Sequence, residues 1–114
     1  MHAGTDLAGE LYEAFAKADE LVAQMAADGR AKAEAERRYR MQKRQRILSV
    51  RVQNKTPVSL IADVVKGYED IAMLACERDC AETAYEATKE AINVNKRKID
   101  WLREQWGREW SQAR

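Results

Sequence analysis

Apolar residues recur every three or four positions along most of this chain, the period of helices that bury one face. From Tyr68 to about Trp110 a heptad fits without a gap. Position a reads Ile71, Arg78, Tyr85, Ile92, Ile99 and Trp106, and position d reads Leu74, Ala81, Thr88, Asn95, Leu102 and Glu109. Apolar a and d positions make a coiled-coil seam, and Arg78 and Asn95 are polar interruptions of the kind that fix register. Position c is apolar five times in succession, at Met73, Cys80, Ala87, Val94 and Trp101. Positions c, g, d and a adjoin on a helical wheel, so the pattern predicts a stripe too wide for one partner helix.

Earlier in the chain, Leu7, Leu11, Phe15, Ala18, Val22 and Met25 repeat at helical spacing behind an N-cap expected at Thr5 or Asp6. This predicts a helix over about 6–27. Asp28-Gly29 either stops it or only weakens it, since glycine costs about 1 kcal/mol against alanine inside a helix. A second helix is expected over 30–53. Pro57 disfavours helix at Thr56 and opens a short helix over 57–66, with Thr56 as its cap and Gly67 as its closing residue. The heptad segment, about 68–110, is the last. Strand-like runs with turn pairs are missing. The expectation is one all-α domain over residues 1–114: an elongated antiparallel helical hairpin or bundle with a long coiled-coil-like C-terminal helix. If Gly29 does not break the first pattern, 6–53 and 68–110 extend roughly 70 and 65 Å, matched lengths for a hairpin with Pro57 at its tip.

Charge sharpens this picture. Of 114 residues 34% are charged and only 7% aromatic, which suits long helices. The net charge of +1 implies no whole-molecule attraction to nucleic acid or membrane. Its distribution is uneven: −5 over residues 1–29, +8 over 30–55, −5 over 69–95 and +3 over 96–114. An antiparallel fold sets the basic block beside Glu77, Asp79, Glu82, Glu86 and Glu90, and the acidic first block beside Lys96, Arg97 and Lys98. Each exposed pair is worth about 0–1 kcal/mol, but the order of blocks selects this alignment. The strip has a second reading. Arg37, Arg40, Arg44 and Arg51 fall within about 60° of one another on a wheel and form a candidate row for phosphates or an acidic protein surface.

Catalytic chemistry finds no support. The only histidine is His2, no Ser-His-Asp or Cys-His set is present, and there is no GxxxxGK[ST] phosphate loop. A non-enzyme without cofactor or metal is expected. Cys76 and Cys80, one turn apart, supply two of the four ligands that zinc needs, so Cys80 is read as a small buried residue. Trp101, Trp106 and Trp110 crowd the end of the chain. They pack against Leu7, Leu11 and Phe15, or with Ile99 they anchor a partner. The start is unlike a secretion signal and no 18-residue apolar run exists, so a cytoplasmic protein with no membrane span is expected.

"PVSLIADVVKGYEDIAML", "ERDCAETAYEATKEAIN" and the closing "REW" at Arg108 to Trp110 resemble a group of small helical proteins of tailed phages and prophages. The resemblance covers Tyr39 to Trp110 and leaves out the first 29 residues. It implies an early-region phage accessory protein, near DNA recombination or replication, in the host cytoplasm. The expected role is binding a host or phage protein, as a modulator or inhibitor of host defence or DNA-processing machinery. The alternative is a nucleic-acid-binding accessory of phage recombination or replication. The broad apolar stripe further predicts a homodimer, with Asn95 paired to its symmetry mate; the competing solution is a break at Asp28-Gly29 that folds the first helix back into a monomeric three-helix bundle.

Overall fold

A computed structural model describes residues 4–53 and 56–113. They form three helices, α1 (Gly4–Gln53), α2 (Val58–Lys66) and α3 (Glu69–Ala113), with no strand among the described residues. The fold is all-α with a long C-terminal helix, as the periodicity predicts. α1 runs unbroken through Asp28-Gly29. Gly29 keeps a right-handed backbone, and the Tyr85 ring packs over it, 3.5 Å from where a Cβ would stand. Packing on both sides of this point offsets glycine's modest helix penalty. The first helix therefore does not fold back at this point. Thr5 and Asp6 lie inside α1 rather than ahead of it, and Asp6 in the first turn complements the helix dipole.

The cap of α2 also differs from expectation. Pro57, not Thr56, is the N-cap, with φ −55° and ψ 136°. Its carbonyl accepts from the Leu60 amide at 2.9 Å. Gly67 closes the helix in a right-handed conformation, φ −83° and ψ −10°, and its amide donates to the Val64 carbonyl at 3.1 Å. The Tyr68 amide donates to Val65 and the Tyr68 carbonyl accepts from Ala72, so α2 passes into α3 without a left-handed residue.

Contacts divide the chain into two compact units. The central unit, Asp28–Tyr85, holds the end of α1, all of α2 and the start of α3. Tyr39, Val50, Ile61, Val65 and Ile71 form its core, flanked by Ile47, Tyr68, Leu74 and Ala75. α2 contributes because its buried residues, Ile61 and Val65, are one turn apart on one face. Antiparallel alignment is fixed by pairs that step in opposite directions: Arg46 with Asp70 at 3.0 Å, Arg38 with Glu77 at 3.5 Å, and Glu36 with Arg78 at 3.8 Å. Of the acids expected to face the basic block, Glu77 does so, whereas Asp79 turns to Arg78 on its own helix and Glu90 to Arg97.

Asp70, the acid that meets Arg46, is half-buried. One of its oxygens accepts from both Arg46 Nε at 3.0 Å and Gln42 Nε2 at 3.1 Å. The Arg46 bond holds the carboxyl below its ordinary 3.8 against the opposing pull of burial, and Gln42, the Arg46 charge and the Ile71 amide assist. A depressed folded value means that the stabilisation is complete above the ordinary value and is lost as pH falls through the folded one. Asp70→Asn is expected to melt below the wild type at neutral pH. The gap should close below about pH 4, which thermal melts over a pH series will show.

The terminal unit comprises the described residues of Met1–Ala27 and Glu86–Arg114. Leu7, Ala14, Ile99 and Leu102 are its core, with Leu11 and Trp106 packed against them. Asn95 Nδ2 donates to the Ala14 carbonyl at 2.9 Å and is buried. This corrects the expectation of a bond between symmetry mates: the amide pins the register of α1 on α3 within one chain.

In both units the a and d residues of α3 are buried or half-buried, including Arg78 and Thr88. The c stripe is not covered. Met73, Cys80, Ala87, Val94 and Trp101 are all exposed, since position c lies well round the helix from the a/d seam that α1 fills. Among the described residues, no helix is long and apolar enough to cross a membrane.

Candidate binding groove

Tyr39 starts the candidate site. Its ring is buried in the central core, with the Arg78 guanidinium 4.2 Å and the Lys43 ammonium 5.6 Å from its centre. Cations over aromatic faces are held by the ring quadrupole, so the ring collects charge at the edge of the core. Around it opens a groove of about 700 Å³. Tyr39, Ile47, Ile71 and Ala75 give it an apolar floor, and Arg40, Lys43, Arg44, Lys66 and Arg78 surround this with positive charge. Glu36 is the one carboxylate in the lining.

Helical spacing explains the assembly. Tyr39 and Lys43, like Arg40 and Arg44, are one turn apart on α1, while Arg78 sits at an a position of α3 and faces inward. Lys66 arrives from the last turn of α2. Part of the charge is answered locally. Arg40 donates to Glu36 at 2.7 Å and Arg78 to Asp79 at 3.0 Å, both near the surface. Arg44 and Lys66 have no ion pair among the described residues. A second hollow of about 380 Å³ shares Glu36, Arg40 and Arg78 with the groove and extends to Lys32 and Glu82.

Of the arginine row expected from the sequence, the structure brings Arg40 and Arg44 to the groove. Arg37 is held by Glu34, its Nε 2.9 Å from a carboxylate oxygen, and this pair keeps the Glu34 carboxyl below its ordinary range. Arg51 is exposed near the end of α1, outside the groove lining and with no ion pair among the described residues. Lys43, Lys66, Arg78 and Tyr39 complete the site without having been singled out for it. Lys43 has a signal, the Tyr39-x-x-x-Lys43 spacing. Lys66 has none, because only the packing of α2 brings it near.

The other candidates lie elsewhere. Ile99 is buried in the terminal core and Trp106 half-buried against it, so both serve their own chain. Trp106 and Trp110 meet with ring centres 6.2 Å apart, while Trp110 and Trp101 stay largely open to solvent. Phe15, expected against the tryptophans, is likewise exposed. Cys76 and Cys80 are both exposed, which corrects the buried reading of Cys80. The hydrogen bond with Cys76, aided by nearby negative charge and burial, pushes the Cys80 thiol up, which keeps it protonated and a poor nucleophile. Among the described residues no three His, Cys, Asp or Glu converge to hold a metal.

No protein-family model matches the chain, and neither the curated proteins nor the solved structures give a significant match.

Proposed function

We propose that this is a non-enzymatic binding protein whose central groove grips an acidic segment of a partner protein, an amphipathic helix with one apolar face. The observation that carries this reading is the groove's composition: five cations against one carboxylate, arranged over an apolar floor. The floor takes an apolar side chain and the basic rim takes the carboxylates beside it, which is how helices dock in grooves. In the phage setting implied by the resemblance, the partner is a host or phage protein. Occupying its acidic segment modulates or inhibits defence or DNA-processing machinery in the host cytoplasm.

A second reading, phosphate binding, is favoured by the absence of intrachain ion pairs at Arg44 and Arg51 among the described residues. Against it, an apolar floor has no role in following a phosphate backbone. The test titrates the protein with an acidic amphipathic helical peptide and, separately, with a short DNA duplex. The peptide is expected to bind, to lose on the order of tenfold or more with Arg44→Glu/Lys66→Glu, and to keep part of its affinity in high salt. Tighter binding of the duplex, with a steep salt slope, would establish the phosphate reading instead.

A further inference from the structure

Cys76 and Cys80 stand exposed on α3, one helical turn apart. The hydrogen bond between their thiols draws the two sulfurs together on one face. Both line a single hollow of about 610 Å³ in the central unit, with Lys66 of α2 in its wall.

A pair of neighbouring thiols can oxidise or share a ligand, and helix geometry decides between the two. Cβ atoms four residues apart on a helix stand about 5–6 Å from one another. A disulfide needs them about 3.5–4.5 Å apart, so closing one here would distort α3. A shared metal ion demands less. With metal–sulfur bonds of about 2.3 Å, two sulfurs on one ion stand as much as ~4.6 Å apart. An intact helix therefore favours bridging by an ion over oxidation.

The donors present select the ion. Oxygen ligands for a hard cation are engaged elsewhere. Asp79, the one carboxylate in the lining, pairs with Arg78 at 3.0 Å, and the Thr83 hydroxyl donates to the Asp79 backbone carbonyl at 2.9 Å. Zinc, which needs four ligands, finds two, since no three His, Cys, Asp or Glu converge among the described residues. A monovalent ion content with two soft donors fits what is here, and thiolates select copper(I). Two thiolates on one monovalent ion leave a single negative charge, which Lys66 in the wall of the hollow offsets.

We infer that Cys76 and Cys80 form a two-thiolate site for copper(I) on the exposed face of α3. Binding breaks both S–H bonds, forms two Cu–S bonds and releases two protons to solvent. Copper enters and remains as copper(I), and no electron moves. Neither cysteine lines the basic groove, so the site stands or falls independently of that groove's ligand.

The test titrates the reduced full chain, without oxygen, with copper(I) held by the chromophoric chelator bicinchoninate. One equivalent per chain is expected to leave the chelator, with thiolate-to-copper absorption appearing in the near ultraviolet. Cys76→Ser and Cys80→Ser should each weaken binding on the order of a hundredfold or more, because the second thiol acts as an intramolecular ligand. Cys80→Ser/Ala84→Cys keeps two thiols at exposed positions but sets them ~12 Å apart along the helix axis. It should bind no better than either single variant. Circular dichroism confirms that each variant keeps its helices. A wild type that draws no copper from the chelator overturns the inference. So does a single-cysteine variant that matches the wild type, or a displaced pair that binds as tightly as the native one.

Discussion

Leu102→Ala is expected to cost about 2–5 kcal/mol, the range for removing a large aliphatic side chain from a packed core. Leu102 is 1% exposed and shares the small terminal core with Leu7, Ala14 and Ile99. Its neighbours have little freedom to close the void, because each projects from one of two long helices whose register Asn95 fixes. Ile71→Ala, with Ile71 also 1% exposed, should cost a similar amount in the central core. The two losses should differ in place. Hydrogen exchange on Leu102→Ala should show lost protection mainly around residues 7–14 and 95–106, and on Ile71→Ala mainly in α2 and its neighbours. Loss spread equally over both units in each variant would contradict the division into two cores.

Much of this fold was legible as periodicity. The heptad from Ile71 to Glu109 names the residues that α3 buries or half-buries, since a and d positions face the partner wherever two long helices pair. The antiparallel order was legible in the charge blocks, and Arg38 with Glu77 realises it. The c stripe was legible as wider than one partner helix covers, and α1 leaves it exposed; only the burial of Cys80 was misread. Apolar identity at Met73, Cys80 or Trp101 does not reveal whether anything covers it, and one partner helix leaves it open. Gly29 could not be settled from sequence because its fate depended on Tyr85, far away in the chain.

The candidate groove was legible only in part. Arg40 and Arg44 stood out as a row, but rows on one helix do not show which members are spent locally. Arg37 turns to Glu34 through a spacing the sequence does contain, i to i+3. Arg78 looked like a register device and is also the groove's inner cation, because its guanidinium reaches the Tyr39 ring. Arg46, Gln42 and Asp70 form a polar tie that periodicity cannot signal. They come from segments separated by 24 and 28 positions.

Asn95→Asp should show what that buried amide does. The substitution keeps the shape and replaces a donor by an oxygen. Above its titration range the carboxylate has only lone pairs to offer the Ala14 carbonyl, in a site 8% exposed to solvent. A buried charge facing an acceptor is expected to cost about 3 kcal/mol or more at neutral pH. Burial and the carbonyl both raise the folded-state pKa of the new group. The penalty is therefore complete above that raised value and shrinks as pH falls through it, since a protonated carboxyl can donate to Ala14 again. The variant's deficit should narrow in acid, in the same direction as that of Asp70→Asn but for the opposite reason: there the wild type loses an advantage, and here the variant loses a penalty. Asn95→Leu separates polarity from packing. The Ala14 carbonyl retains its place in the α1 hydrogen-bond ladder, so an apolar d residue should be near neutral or stabilising, as when a buried polar contact is replaced by apolar groups. A pH-independent loss in Asn95→Asp, or a large loss in Asn95→Leu, would show that side-chain fit rather than the amide bond sets the stability of this unit.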